Sequence, residues 1–138
     1  MPGCDPTVGW VLVAAPGGTT FSGAQGSLYT LQAGDDAYES LSPNTGVAAG
    51  EGYWAYFAGP ATVALSGQST SNAAIQAPAG VWVMVGNPSA TDTLAVHGAD
   101  TVFVYDAAGG QYSQTTTLNP GQGAWALSYS GGTITIEP

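Results

Sequence analysis

A pattern written twice constrains this chain more than any other feature. "GEGYWAY" spans 50–56 and "GQGAWAL" spans 121–127, so that Gly-x-Gly-x-Trp-Ala recurs with Trp54 and Trp125 71 residues apart. The duplication extends to either side. "VGWVLVAAP" (8–16) matches "GVWVMVGNP" (80–88), pairing Trp10 with Trp82, Leu12 with Met84 and Val13 with Val85. "SLYTLQAGDDAY" (27–38) matches "TVFVYDAAGGQY" (101–112), pairing Tyr29 with Phe103, Leu31 with Tyr105 and Tyr38 with Tyr112. "GPATVAL" (59–65) matches "GGTITI" (131–136). Repetition at a fixed period marks structural units that recur along a chain. The spacing defines repeat one over 8–65, a linker over 66–79 and repeat two over 80–136. The linker, "SGQSTSNAAIQAPA", is small and polar, with Ile75 as its anchor to the body.

Each repeat carries about five strand candidates. "WVLV" and "WVMV" are apolar on both faces, the pattern of a strand covered on both sides. The segments at 28–31 and 102–105 run into the turn signals "AGDD" and "AAGG", which predicts a hairpin in each half. Gly-Pro and Gly-Gly after the Trp54 and Trp125 strands predict a second hairpin in each half. No helical periodicity occurs, and Gly (21), Pro (9), Thr and Val fit short strands and turns. The expected fold is all-β, an antiparallel β-sandwich or barrel made of two pseudo-twofold repeats. A unit of about 65 residues buries little by itself. The halves are therefore expected to share one core in a single domain, 1–138.

Charge excludes several functions. The chain has no Lys and no Arg and a net charge of −9, where a typical chain of this length carries about 17 basic residues. Phosphate recognition rests on Lys and Arg, so nucleic acid is not an expected partner, and anionic membrane surfaces are disfavoured. No apolar run reaches the ~18 residues of a membrane span, and membrane insertion is not expected. A single cysteine, Cys4, excludes an intrachain disulfide.

The chemistry that a catalyst needs is thin. His97 is the one histidine, in the segment "LAVHGAD", with Asp92 and Asp100 as the acids near it, and no Gly-x-Ser-x-Gly elbow presents a serine. Asp35, Asp36 and Glu39 cluster in a turn, but no calcium-loop pattern follows them, and the matching turn of the second half carries Gly109 and Gly110. Glu51 and Asp106 are the acids beside strong strand motifs, and Glu51 aligns with Gln122. No catalytic residue, no metal site and no cofactor is expected.

"WVMVGNPS", "VFVYDAAGGQY", "NPGQGAWAL" and "SGGTITI" resemble the GW-N-L-V-G-N-P, W-D-x-x-x-G-x-Y and P-G-x-G-Y-W-V repeats of large secreted bacterial surface proteins. The resemblance spans nearly the whole chain, more closely over 80–136 than over 8–65. It implies an extracellular or cell-surface location and a structural or adhesive role, and it carries no catalytic residue.

Aromatics present in both copies are assigned to the core, with Trp10, Trp54, Trp82 and Trp125 as its anchors and Tyr29 and Phe103 beside them. Strands alternate sides with period two. On this assignment Trp54 and Tyr56 face inward, and Tyr53 and Phe57 face outward as a binding patch. Ala124 and Ser128 stand where that patch would be in the second half. The expected role is a non-catalytic extracellular β module that self-associates or contacts other surface proteins. A carbohydrate-binding module that uses exposed rings is the alternative.

Overall fold

Every regular element among the described residues is a β-strand. The computed structural model describes residues 3–4 (backbone alone), 9–35, 37–58, 63–106 and 110–138. The first half contributes β1 (Gly3–Cys4), β2 (Gly9–Val13), β3 (Leu28–Thr30), β4 (Glu39–Leu41), β5 (Tyr53–Phe57) and β6 (Val63–Ala64). The second contributes β7 (Ala73–Ala77), β8 (Trp82–Gly86), β9 (Leu94–His97), β10 (Thr101–Asp106), β11 (Gln111–Gln114), β12 (Thr117–Leu118), β13 (Gly123–Leu127) and β14 (Gly132–Glu137).

These strands form three four-stranded antiparallel sheets, ordered β2-β5-β3-β4, β8-β13-β10-β11 and β12-β9-β14-β7, with a two-stranded pair β1-β6. None closes into a barrel. The first predicted hairpin is present in both halves, as β3 with β4 and β10 with β11. The second is not. β14 leaves β13 to pair with β7 and β9, and β6 pairs with β1. The Gly-Gly turn at 131–132 therefore carries the chain from one sheet to another. The stretch read as a linker is also more ordered than expected. β7 lies inside it and aligns Ala73–Ala77 with β14, which buries Ile75.

The buried residues form two clusters, where one shared core was expected. One gathers Val11, Val13, Phe21, Leu28, Tyr53, Ala55 and Phe57, with Val63 and Leu65. The other gathers Ile75, Val83, Val85, Leu94, Ala124, Ala126, Ile134 and Ile136. Each half covers its own apolar face. In the second half Asn87, fully buried, ties the loops together. Its Nδ2 donates to the Asp92 and Leu118 carbonyls, each at 2.8 Å, and its Oδ1 accepts from the Ser89 N–H at 2.7 Å.

The assignment of faces on β5 and β13 is the reverse of the one expected. Tyr53 and Phe57 are core residues, 3% and 0% exposed, with Ala55 beside them in the first core, and the matching strand turns Ala124 and Ala126 into the second core. Trp54 and Trp125 stand half-buried on the other face, while Trp10 (46%) and Trp82 (36%) are exposed. The two faces meet different partners. Ala124 and Ala126 pack among the aliphatic residues of the second core, whereas Trp54 and Trp125 meet Tyr105 and Tyr38 of the other half on the outward face. The rings turn outward, where the other half meets them.

The halves join through backbone. Glu51 bridges to Val85, and Gln122 bridges to Val13. The Gly52 N–H donates to the Met84 carbonyl at 3.2 Å, the Gly86 N–H to Gly50 at 2.9 Å and the Ala14 N–H to Gly121 at 3.1 Å. A Cβ at Gly52 would lie 2.5 Å from the Val85 carbonyl oxygen, and one at Gly123 would lie 2.7 Å from that of Val13. Gly50 and Gly121 turn the chain into these contacts with φ of 81° and 86°. The repeated Gly-x-Gly is thus the place where each half's strand pair touches the apolar strand of the other.

Phe57→Ser is expected to destabilise by ~3–5 kcal/mol, as loss of a large buried ring does. Trp10→Ala should stay within about 1 kcal/mol, near the surface range. Denaturant titrations that returned these costs in the opposite order would restore the original faces. Gly52→Ala and Gly123→Ala should each cost ~1–3 kcal/mol through the forced shift of the facing strand; stability equal to the native chain in the same titration would show that the junction is loose.

Candidate functional site

The face turned away from both cores gathers most of the aromatic residues. On β2, β5 and β3, alternation places Trp10, Trp54, Tyr56 and Tyr29 together. On β8, β13, β10 and β11 it does the same for Trp82, Trp125, Phe103, Tyr105 and Tyr112. Leu12 and Met84 share these faces, are buried and belong to neither half's core. They pair across the ladder with Trp54 and Trp125 and so lie at the base of the ring clusters.

The rings form two rows. One runs Tyr56–Trp10–Tyr29–Tyr38–Trp125, with centroids 5.4, 6.0, 6.5 and 6.4 Å apart. The other runs Trp54–Tyr105–Tyr112–Phe103–Trp82, with spacings of 5.2, 5.2, 6.5 and 5.9 Å. Each row holds four rings from one half and ends on the tryptophan of the other half's Gly-x-Gly-x-Trp-Ala motif. Trp54 and Trp125 are thereby exchanged. Most neighbours meet edge to face, at 61–73° in six of the eight contacts, the arrangement that the ring quadrupole favours.

Two open clefts follow these rows. One, of about 570 Å³, is lined by Trp10, Tyr29, Tyr38, Trp54, Tyr105 and Tyr112. The second, of about 490 Å³, is lined by Leu31, Trp82, Phe103, Tyr112 and Trp125. Tyr112 stands in both. A smaller hollow of about 390 Å³ lies outside, where Gln25, Gly26 and Ser27 meet Trp10, Tyr29 and Tyr56.

The candidates of the sequence reading take other places. Tyr53 and Phe57 are buried together in the first core. His97 is exposed on β9, and the Asp100 carboxylate accepts the Tyr129 N–H at 2.7 Å. Asp35 caps its own turn by accepting the Gln32 N–H at 2.9 Å, Glu39 is exposed on β4, and Asp36 lies outside the described residues. No group of three or more His, Cys, Asp or Glu side chains among the described residues is arranged to hold a metal ion. Tyr38, Tyr105 and Tyr112 are matched repeat positions in the sequence but not among its site candidates. A signal for them exists: Val11/Val83, Val13/Val85 and Ala55/Ala126 are the same in both copies and mark the packed face, leaving the rings for the other.

In comparison with known proteins, the chain matches no family model, no curated protein and no solved structure.

Beside the junction, Glu51 and Tyr53 form a partly buried acid–phenol pair. The Tyr53 hydroxyl donates to Glu51 Oε1 at 3.2 Å and accepts the Ala48 N–H at 3.1 Å. Burial pushes the Glu51 carboxyl above its ordinary range; the Tyr53 hydrogen bond opposes this, and the charges of Glu39 and Asp35 add to it. Burial also pushes the Tyr53 hydroxyl up to about 12, against the Ala48 hydrogen bond and with the Glu51 charge. For an acid whose folded pKa is raised, the folded state binds more protons than the unfolded one between the two pKa values, so stability falls as pH rises through that window. Glu51→Gln, which copies Gln122, is therefore expected to match the native chain near pH 4 and to exceed it at pH 7. Thermal midpoints at the two pH values test this, and a variant less stable at pH 7 would contradict it.

Proposed function

We propose that the chain is a non-catalytic extracellular β module, a structural or adhesive building block that makes contact through its aromatic face. The observation that carries this reading is the uncovered row of rings, with Trp10, Tyr38, Trp82 and Tyr112 each 36–50% exposed. Large exposed aromatics in a contiguous patch mark contact surfaces, and Trp and Tyr are the residues that dominate contact energies. The lining is ring and Leu, chemistry suited to contact more than to proton transfer. The lack of Lys and Arg disfavours nucleic acid, and the resemblance to surface-protein repeats supports the location.

The same reading includes two pseudo-twofold repeats in a sandwich-like arrangement. Support comes from the sheet order, β2-β5-β3-β4 against β8-β13-β10-β11, in which strands matched by sequence occupy matched places. The paired bridges Glu51–Val85 and Val13–Gln122 are related in the same way.

Carbohydrate binding is the second reading, and a specific observation favours it. In the outer hollow, Trp10 and Tyr56 present rings beside Gln25 and Ser27, a stacking surface with polar groups at its edge. Sedimentation over a wide concentration range, together with a glycan array, tests both. The native chain is expected to self-associate or bind a glycan, and Trp10→Ala should weaken that by tenfold or more while folding normally. A chain that stays monomeric at millimolar concentration and retains no glycan would sink the proposal.

A further inference from the structure

We infer that the cleft between the two ring rows is a site for an organic cation bearing a trimethylammonium group with no phosphate attached. The inference rests on the reading of the aromatic face as a binding surface and names the chemistry of one part of it.

The first argument is the lining. The cleft is walled by Trp10, Tyr29, Tyr38 and Trp54 from one half and by Tyr105 and Tyr112 from the other. A cation is held over a ring face within about 6 Å of the centroid. The Trp54–Tyr105 and Tyr105–Tyr112 centroids are each 5.2 Å apart, with the rings tilted 72° and 61° to one another. Six rings from both halves thus stand around one cleft, at spacings of the same order as that reach.

The second argument is charge. Significant pairs between aromatic rings and Lys or Arg occur roughly once per 70–80 residues in proteins, so about two would be ordinary here. This chain has neither residue, and its rings cannot be capped by such a side chain of its own. The net charge of −9 attracts cations toward the surface and repels anions. That field selects against a phosphate-bearing headgroup.

The third argument is hydrogen bonding. A primary ammonium leaving water needs acceptors for its N–H groups, and polar groups buried without partners are costly. The lining offers indole and phenol rings, with phenol oxygens as its side-chain acceptors. A trimethylammonium group has no N–H to satisfy, carries its charge on a methylated surface and fits an aromatic wall without that cost.

The test is a titration of the full chain with choline, followed by tryptophan fluorescence and by calorimetry. The controls are phosphocholine and the carbon isostere in which a neutral tert-butyl group replaces the trimethylammonium. Choline is expected to bind saturably, at least about tenfold more tightly than the isostere, and more tightly than phosphocholine. Tyr112→Ala, at an exposed position that leaves both cores intact, should lower choline affinity about tenfold. Tyr129→Ala, exposed and outside both clefts, should leave it unchanged. Equal binding of choline and the isostere would show apolar contact without recognition of charge and would overturn the inference. So would absence of saturable choline binding, or a preference for phosphocholine. Self-association or glycan binding that persists through such a failure would leave the broader reading standing while this one falls.

Discussion

The structure depends on close backbone contact at the junction of its halves. Gly52 and Gly123 bring each half against Val85 and Val13 of the other, at a distance that leaves no room for a side chain. Backbone hydrogen bonds from Gly52, Gly86 and Ala14 then cross the boundary. Such bonds are directional and modest individually, but a buried backbone group left without one is costly. The junction therefore sets the relative placement of two units that each have a core of their own.

That placement decides where the rings go. With the junction closed, Trp54 reaches Tyr105 and Trp125 reaches Tyr38, so each half completes the other's aromatic row. Gly-x-Gly and the Trp that follows it are two parts of one device. The glycines allow the approach, and the indole two positions on uses it. Leu12 and Met84, buried outside either core, are covered by the same arrangement. Electrostatics contributes little to holding the halves together, since no Lys or Arg is present to pair with the carboxylates. The fold rests on apolar burial, backbone ladders and side-chain bonds such as those of Asn87 and of Thr30, which donates to the Gly52 carbonyl at 2.8 Å.

Much of the architecture is legible in the amino-acid sequence. Val11, Val13, Val83 and Val85 alternate with larger residues, and the turn signals "AGDD" and "AAGG" follow the next strand candidates, so strands and the first hairpin of each half are readable locally. The duplication itself was visible by alignment of Trp10 with Trp82 and of Trp54 with Trp125. The candidate site was not legible in the same way. Alternation shows that Tyr53 and Trp54 point to opposite sides of β5, but it is indifferent to which side is covered. Size suggested that the indoles were the core. The first core took Tyr53, Ala55 and Phe57 instead, and the indoles met rings of the other half.

The amino-acid sequence by itself determined the strand character, the internal correspondence of the halves and the absence of basic side chains. Each of these follows from residue identity and spacing along a short stretch. Tertiary structure alone decided three things: the pairing of β14 with β7, the separation into two cores, and the exchange of Trp54 and Trp125. All three depend on contacts between residues far apart in the chain. The strand pairing joins 73–77 to 132–136, and the exchange joins Trp54 to Tyr105. A local pattern carries the face a side chain occupies relative to its neighbours; only packing against a distant segment determines whether that face becomes interior or surface.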